Sequence, residues 1–313
     1  MFWIPGSPGM VASALVRLCQ SKCLDAITTT RSDVDCLDSR AVRDFIDRTR
    51  PDIIVIAAAK VGGIHANNTQ RADFIWENLT IAANIIHAAH IAHVHRVVAL
   101  GSSCIYPRHC EQPMQERHLL SGSLEPTNEP YAVAKIASIK MIESFNHQYG
   151  HRWLSLMPTN LYGPGDNYHP LNSHVLPAMI RRFHEAKERK DPTITLWGTG
   201  VAKREFLHVD DLATACLHAI DHGGEVSALP GSFLNVGSGD EVSIQSLALT
   251  IKKIVGYEGQ IVWDASKPDG MLRKLLDSSI INRLSWFPSI DLESGIKSTY
   301  ATFLHGDGRG IHA

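Results

Sequence analysis

Short apolar runs alternate along the chain with longer amphipathic stretches. Residues 1–4 (MFWI) read as a short first strand, and Met10, Val11, Ala14, Leu15 and Leu18 then recur at helical spacing. A β-branched run at 26–30 predicts a second strand, and 41–48 a second helix. Residues 52–58 (DIIVIAA) are continuously apolar, the pattern of a strand buried on both faces. Long helices are predicted over 73–92 and 131–149, with strand-like runs at 96–100 (RVVAL) and 153–157 (WLSLM). This rhythm predicts an α/β protein: a Rossmann-type doubly wound parallel sheet with helices on both faces, joined to a smaller α/β substrate-binding domain. Past residue 158 the alternation loosens into PTNLYGPGDNYHPLNSH. A loop of that length inside a compact domain is usually functional. The expected division is therefore 1–157 for the Rossmann domain and 158–313 mainly for the second. The strand–helix–strand pattern of about 205–236 is expected to return to the first.

Composition narrows the class. At 313 residues the chain exceeds one small core. Thirty Lys and Arg against 32 Asp and Glu leave a formal charge of −2, which offers no electrostatic case for nucleic acid or an anionic membrane as partner. The longest uninterrupted apolar run, at 53–59, has seven residues, far short of the ~20 that cross a bilayer. No secretory leader is visible in MFWIPGSPGM, and six cysteines in a chain of this length do not resemble a disulfide framework, so a cytoplasmic protein is expected. His87, His90, His93 and His95 lack a Cys or carboxylate partner and predict no metal site. Asn67 and Asn78 open N-x-T triplets that read as chance. Asp210 and Asp211 read as cap and first-turn carboxylates of a helix rather than as a paired acid site.

Two local motifs carry chemistry. Gly6-Ser7-Pro8-Gly9-Met10-Val11-Ala12 has the spacing G-x-x-G-x-x-A at a strand-to-helix turn. Glycine there permits close approach of a ligand to the backbone, and the helix N-terminus offers N–H groups to a pyrophosphate. After the second strand stands Arg31, where proteins that use NAD tend to place a carboxylate. A guanidinium there suits the 2′-phosphate of NADP(H). The second motif is Tyr131-x-x-x-Lys135, whose members share one face at the start of a predicted helix. An ammonium near the phenol is expected to lower its pKa from ~10 and ready it for proton transfer to a carbonyl oxygen. Upstream, Ser102 follows a buried strand and so lies at the carboxyl edge of the sheet, where ligands bind.

With these motifs the sequence resembles the extended short-chain dehydrogenase/reductase family. The blocks AAAKVGGIHANN (57–68), GSSCIYP (101–107), EPTNEPYAVAK (125–135), MPTNLYGPGDNYHPLNSHVLPA (157–178), REFLHVDD (204–211) and DASKPDG–RKLLD (264–277) extend the resemblance over nearly the whole chain. They are similar to the branch that acts on GDP-4-keto-6-deoxy sugars. The resemblance implies NADPH-dependent 3,5-epimerisation and 4-reduction of GDP-4-keto-6-deoxy-D-mannose to GDP-L-fucose. It implies Ser102, Tyr131 and Lys135 as the catalytic triad, and Cys104 and His174 as the acid/base pair. It places Gly6, Gly9, Met10, Val11, Arg31, Ser102, Tyr131, Lys135, Pro158, Asn160, Leu161 and His174 at the cofactor, and Asn160, Val175, Arg182, Trp197, Arg204 and Lys274 at the GDP-sugar. Trp197 reads either as a cover for a sugar or base face or as a packed core aromatic. A homodimer through the helices at 73–92 and 131–149 is also implied. Pro8, where the family's turn usually carries Arg, leaves Arg31 with more of the 2′-phosphate, and Ala12 is a milder departure from Gly. Two other functions fit the same blocks: a GDP-4-keto-sugar reductase that epimerises one centre (a colitose-type enzyme) or none, and a non-catalytic nucleotide-binding scaffold.

Overall fold

The computed structural model describes residues 1–170, 172–267 and 269–311. Its elements run β1 (Phe2–Pro5), α1 (Met10–Ser21), β2 (Ala26–Thr29), α2 (Ser39–Thr49), β3 (Ile53–Ile56), α3 (Ile64–Thr69), α4 (Arg71–Ile91), β4 (Arg96–Leu100), α5 (Glu129–Tyr149), β5 (Leu154–Pro158) and β6 (Asn160–Tyr162). They continue with α6 (Val175–Arg189), β7 (Thr193–Trp197), β8 (Lys203–His208), α7 (Val209–Asp221), α8 (Gly223–Ser227), β9 (Phe233–Val236), β10 (Glu241–Ser243), α9 (Ile244–Val255), β11 (Gln260–Asp264), β12 (Arg273–Lys274), α10 (Ser279–Arg283) and α11 (Leu292–Leu304).

Six strands form one parallel sheet in the order β2-β1-β3-β4-β5-β9. Its strands are apolar on both faces because both faces are covered. Ile4, Val55, Val98 and Leu156 point to a core shared with α1 and α7, whereas Trp3, Ile54, Ile56, Val97 and Ala99 point to a core shared with α2, α4 and α5. Four residues suffice for β1, because it pairs with strands on both sides and is wholly buried. The chain leaves β1 toward β2 and then returns to β3, so the order reverses between them. The carboxyl ends of β1 and β3 therefore flank a natural crevice for a ligand.

A smaller sheet, β10-β8-β12 with β6 on β8, and a pair β11-β7 make up the rest, around a separate core of Tyr162, Phe183, Phe206, Leu247 and Ile251. β9 completes the large sheet and α7 packs on α1, whereas β8 belongs to the small sheet. Glu205 fastens β8 to its surroundings. Its buried carboxylate accepts the main-chain N–H of Gly239 at 2.8 Å and of Leu276 at 3.1 Å, tying β8 to the loop after β9 and to the end of β12. Asp210 and Asp211 do lie in the first turn of α7, although His208 takes the cap position. Asp211 reaches further, accepting from Ser289 and Ile290 main-chain N–H groups at 3.0 Å. Among the described residues, no helix is long and apolar enough to cross a membrane.

Candidate active site

The glycine turn is a cradle that side chains would fill. Gly6 has φ of +118°, and a Cβ there would lie 2.8 Å from the main-chain nitrogen of Ala58. At Gly9 a Cβ would lie 2.6 Å from the carbonyl oxygen of Gly6, which already accepts the Gly9 N–H at 2.7 Å. Gly9 caps α1 without a side-chain partner, and no acidic residue sits in the first turn, so the N–H groups around Met10 and Val11 face an open approach. These features fit the pyrophosphate of a dinucleotide. Pro8 is exposed in the turn. Arg31 stands just past β2, exposed, 3.5 Å from Asp35 and 3.7 Å from Glu77. Glu77 also binds Lys60 at 2.9 Å, so that carboxylate is shared between two cations, and the exposed Arg31 guanidinium stays open to a phosphate.

Ser102, Cys104, Tyr131 and Lys135 converge past the end of β4. The Nζ of Lys135, on a buried side chain, donates to the carbonyl oxygen of Leu100 at 2.8 Å, which fixes α5 against the strand that delivers Ser102. The Oγ of Ser102 accepts the N–H of Cys104 at 3.4 Å, leaving its own proton to donate elsewhere. Phe74 of α4 supports the Tyr131 ring edge-on, 6.1 Å between centroids. The phenol is not lowered as the sequence leads one to expect. Burial raises its pKa, and a Cys104 thiolate would raise it further. Lys135 is spent on Leu100 and lies over the ring, 5.6 Å from its centroid. Tyr131 is therefore held as a neutral hydrogen-bond donor. Lys135 itself is pushed down to about 8 by burial, partly offset by Cys104.

The second half of the cleft comes from the small sheet. Pairing of β12 with β8 sets Lys274 opposite Arg204, and Arg204 donates to the carbonyl oxygen of Met271 at 2.6 Å. Burial lowers both cations, and the charge of Arg204 adds to the lowering of Lys274. The buried thiol of Cys104 is raised by burial and eased by Lys274, Ser102 and Lys135. His174 caps α6. Burial lowers its pKa, and the charges of Lys274 and Arg309 lower it further. His174 remains open to solvent and Tyr131 and Lys274 stay partly accessible, yet all three feel strong desolvation. They line a cleft rather than a sealed core. Its two walls touch where Gly63 donates its N–H to the carbonyl oxygen of Asn172 at 3.0 Å, and a Cβ on Gly63 would meet the oxygen of Ser173 at 2.8 Å.

The remaining candidates are less uniform. The Nδ2 of Asn160 is committed to the carbonyl oxygen of Glu205 at 2.8 Å. Pro158 is buried at the end of β5, and Leu161 packs against the core under α1. Val175 opens α6 with 37% exposure, and Arg182, further along it, donates to the carbonyl oxygen of Thr195 in β7. Trp197 is 70% exposed with the Lys267 Nζ 5.9 Å from its ring centroid, which removes the packed-core alternative. Sequence reasoning missed the groups that hold the site in place. Asn78 accepts the N–H of Lys60 at 3.2 Å and donates to its carbonyl oxygen at 3.0 Å, while Asn67 donates to Gly62 and Gly63. Both triplet asparagines are thus buried pins for the loop after β3. Glu205 had one visible signal, a carboxylate inside an apolar strand. Asp166 and Arg309 had none.

Residues 3–237 match the NAD dependent epimerase/dehydratase family. The chain is 54% identical over 312 residues to the GDP-L-fucose synthase of Escherichia coli (strain K12), covering 98% of this chain and 97% of that one. It is 48% identical to GDP-L-fucose synthase 1 of Arabidopsis thaliana, covering 96% and 92%. Among solved structures, the GDP-mannoheptose C4 reductase MlghC from Campylobacter jejuni with NADP bound superposes with a TM-score of 0.89 at 34% identity, covering 97% of this chain and 98% of that one.

Asp166 supplies a test of the cleft's electrostatics. It is buried, its Oδ2 has no hydrogen-bond partner, and burial raises its pKa to about 7. Because the unfolded value is ~3.9, its protonated form stabilises the fold fully at low pH, and this contribution is lost as pH rises through about 7. Asp166→Asn should therefore gain on the wild type, on the order of 3 kcal/mol, between pH 5 and pH 8 in urea unfolding. A difference independent of pH would contradict a buried carboxyl with one oxygen unpartnered.

Proposed function

The chain belongs to the NAD dependent epimerase/dehydratase family, and from that premise we propose that it performs NADPH-dependent 3,5-epimerisation and 4-reduction of GDP-4-keto-6-deoxy-D-mannose to GDP-L-fucose. One observation supports the reading at the level of geometry: the Lys135 Nζ donates to the carbonyl oxygen of Leu100 at 2.8 Å, which fastens the helix of Tyr131 to the end of the strand that leads into Ser102 and Cys104.

In the 4-keto sugar, the hydrogens on C3 and C5 are both α to the carbonyl. Removing either proton sends the C–H electron pair into an enolate whose charge rests on the C4 oxygen. Returning a proton to the opposite face inverts the centre and restores the ketone. Ser102 and Tyr131 donate to that oxygen, and one such donor is typically worth ~3–4 kcal/mol. Cys104 and His174 exchange the carbon-bound protons. The Cys104 thiol, held protonated by burial, suits the giving role, and His174, held neutral, suits the accepting role. In the reduction, the same two donors polarise the carbonyl, and Tyr131 passes its proton to the C4 oxygen. When bound at the glycine turn, NADPH supplies the hydride. Gly6, Gly9, Met10 and Val11 hold its pyrophosphate and Arg31 its 2′-phosphate. Arg204 and Lys274 balance the diphosphate of the GDP-sugar, Arg182 lies along the same wall, and exposed Trp197 covers a flat face of the ligand.

Residues 1–157 with 209–236 serve the cofactor, and most of the remainder serves the sugar. Six free cysteines suit a reduced, cytoplasmic setting. A homodimer through α4 and α5 would cover Trp76, Ile91, Val133 and Tyr149, all exposed on these helices. Sedimentation that returns a monomer at micromolar concentration would contradict it.

With NADPH and the keto sugar in D₂O, the product should carry deuterium at C3 and C5 by NMR. Reduction at C4 without deuterium would leave a simple reductase, and no turnover would leave a nucleotide-binding scaffold. Tyr131→Phe should abolish reduction, and Cys104→Ser should slow exchange more than reduction. A C104S enzyme that inverts both centres at the normal rate would remove Cys104 from the reaction.

A further inference from the structure

The ends of β2 and β3 are drawn against the glycine turn. The carbonyl oxygen of Thr29 accepts the N–H groups of Gly6 and Ser7 at 3.1 Å, and a Cβ on Gly6 would lie 2.8 Å from the nitrogen of Ala58. Arg31 follows Thr29 by two residues and Lys60 follows Ala58 by two, so both cations flank the place where the ribose of a dinucleotide is read. From α4, Glu77 reaches both. Its Oε1 accepts from the Nζ of Lys60 at 2.9 Å, and its Oε2 lies 3.7 Å from the Nη1 of Arg31. Asp73, one turn earlier on the same helix, accepts from Lys60 at 3.4 Å, and Asp35 lies 3.5 Å from the Nε of Arg31. Asp33 is spent on the N–H of Thr30 at 2.8 Å. Among the described residues, two cations thus face three carboxylates in this cluster, which is net negative before any phosphate arrives. Glu77 is half-buried and Arg31 exposed, so the carboxylate is the better fixed of the two.

We propose that Glu77 is a specificity-determining residue for the cofactor, and that its carboxylate holds down the preference for NADPH over NADH. The proposal rests on the part given above to Arg31 at the 2′-phosphate. A phosphate monoester adds close to two negative charges. To meet the Arg31 guanidinium it must come near a carboxylate that already lies 3.7 Å from that group. The 2′-hydroxyl of NADH carries no charge, and a carboxylate can accept from it. Glu77 therefore penalises one cofactor and spares the other. Nothing in the turn offsets the penalty, because exposed Pro8 brings no cation, and Lys60 is already shared between Glu77 and Asp73. Asn78 keeps that arrangement in place, since its buried amide accepts the N–H of Lys60 and donates to its carbonyl oxygen.

The test is the affinity of the full-length protein for NADPH and for NADH, measured without sugar by titration of nicotinamide fluorescence in the wild type, Glu77→Gln and Arg31→Ala. E77Q keeps the shape of the side chain and an oxygen that accepts from Lys60, and removes only the charge. It should bind NADPH about fivefold more tightly, the effect of one unit charge ~4 Å away in water, while NADH binds as it does to the wild type. In about 1 M salt, which screens charges beyond ~3 Å, that gain should disappear. R31A should lose most of the discrimination between the two cofactors. If R31A loses it and E77Q matches the wild type, Glu77 does not set the preference and the proposal fails alone. If R31A discriminates as the wild type does, the reading of Arg31 at the 2′-phosphate fails and the proposal falls with it. Weaker binding of NADPH to E77Q would make Glu77 a support for Arg31 and would overturn the proposal. An equal change for both cofactors would assign the effect to the loop that carries Lys60 and would overturn it too.

Discussion

The carbonyl oxygen of Leu100 is the last acceptor of β4, and the ammonium of Lys135 occupies it from the neighbouring helix. That single charge-assisted bond ties the rigid part of the fold to its reactive part. β4 sits in the middle of the sheet, flanked by β3 and β5, and its end delivers Ser102 and Cys104. α5 carries Tyr131 one turn before Lys135. Fixing the lysine on the strand end therefore sets the distance between the serine hydroxyl and the phenol, which come from different elements. Burial drives the lysine toward neutrality, so the bond also compensates a desolvated charge.

Bringing the sugar to this pair depends on how the small sheet is fastened to the large one. Glu205 does this with a carboxylate that satisfies N–H groups from the loop after β9 and from Leu276, just beyond Lys274. The backbone carbonyl of the same residue accepts from Thr159 and Asn160, at the crossing from β5 to β6. A buried carboxylate is costly unless its acceptors are filled, and here they are filled by segments that must meet for the cleft to exist. On the other wall, Gly63 allows main-chain contact with the loop before His174. In the proposed reaction Cys104 and His174 stand on opposite sides of a joint held by hydrogen bonds, while Ser102 follows the end of β4 and Tyr131 stands on α5.

Much of this was legible in the sequence, for identifiable reasons. The large sheet shows because its strands are buried on both faces and read as unbroken apolar runs, Ile53–Ile56 above all. The turn at Gly6 and Gly9 and the pair Tyr131 and Lys135 show because their chemistry needs fixed local spacing. What stayed hidden is set by contacts distant along the chain. Glu205 meets Leu276 across 71 positions, and nothing local to β8 says which sheet it joins. The direction of the Tyr131 pKa was misjudged because an i, i+4 pair predicts proximity, whereas the Lys135 head group is claimed by a carbonyl 35 residues away. Asn78 was passed over because its triplet suggests a surface, although its amide is buried around Lys60. Arg309 lies in a glycine-rich tail without periodicity, and only the fold brings its main chain to Asp166 and Tyr168.

The central claim is that one pair of donors serves two reactions at one oxygen atom. Ser102→Ala probes it most directly, with deuterium exchange at C3 and C5 and hydride transfer to C4 measured separately in single-turnover experiments. If the pair is shared, both rates should fall, each by a factor of about 10²–10³. A variant that loses one reaction and retains the other at the wild-type rate would contradict the shared site.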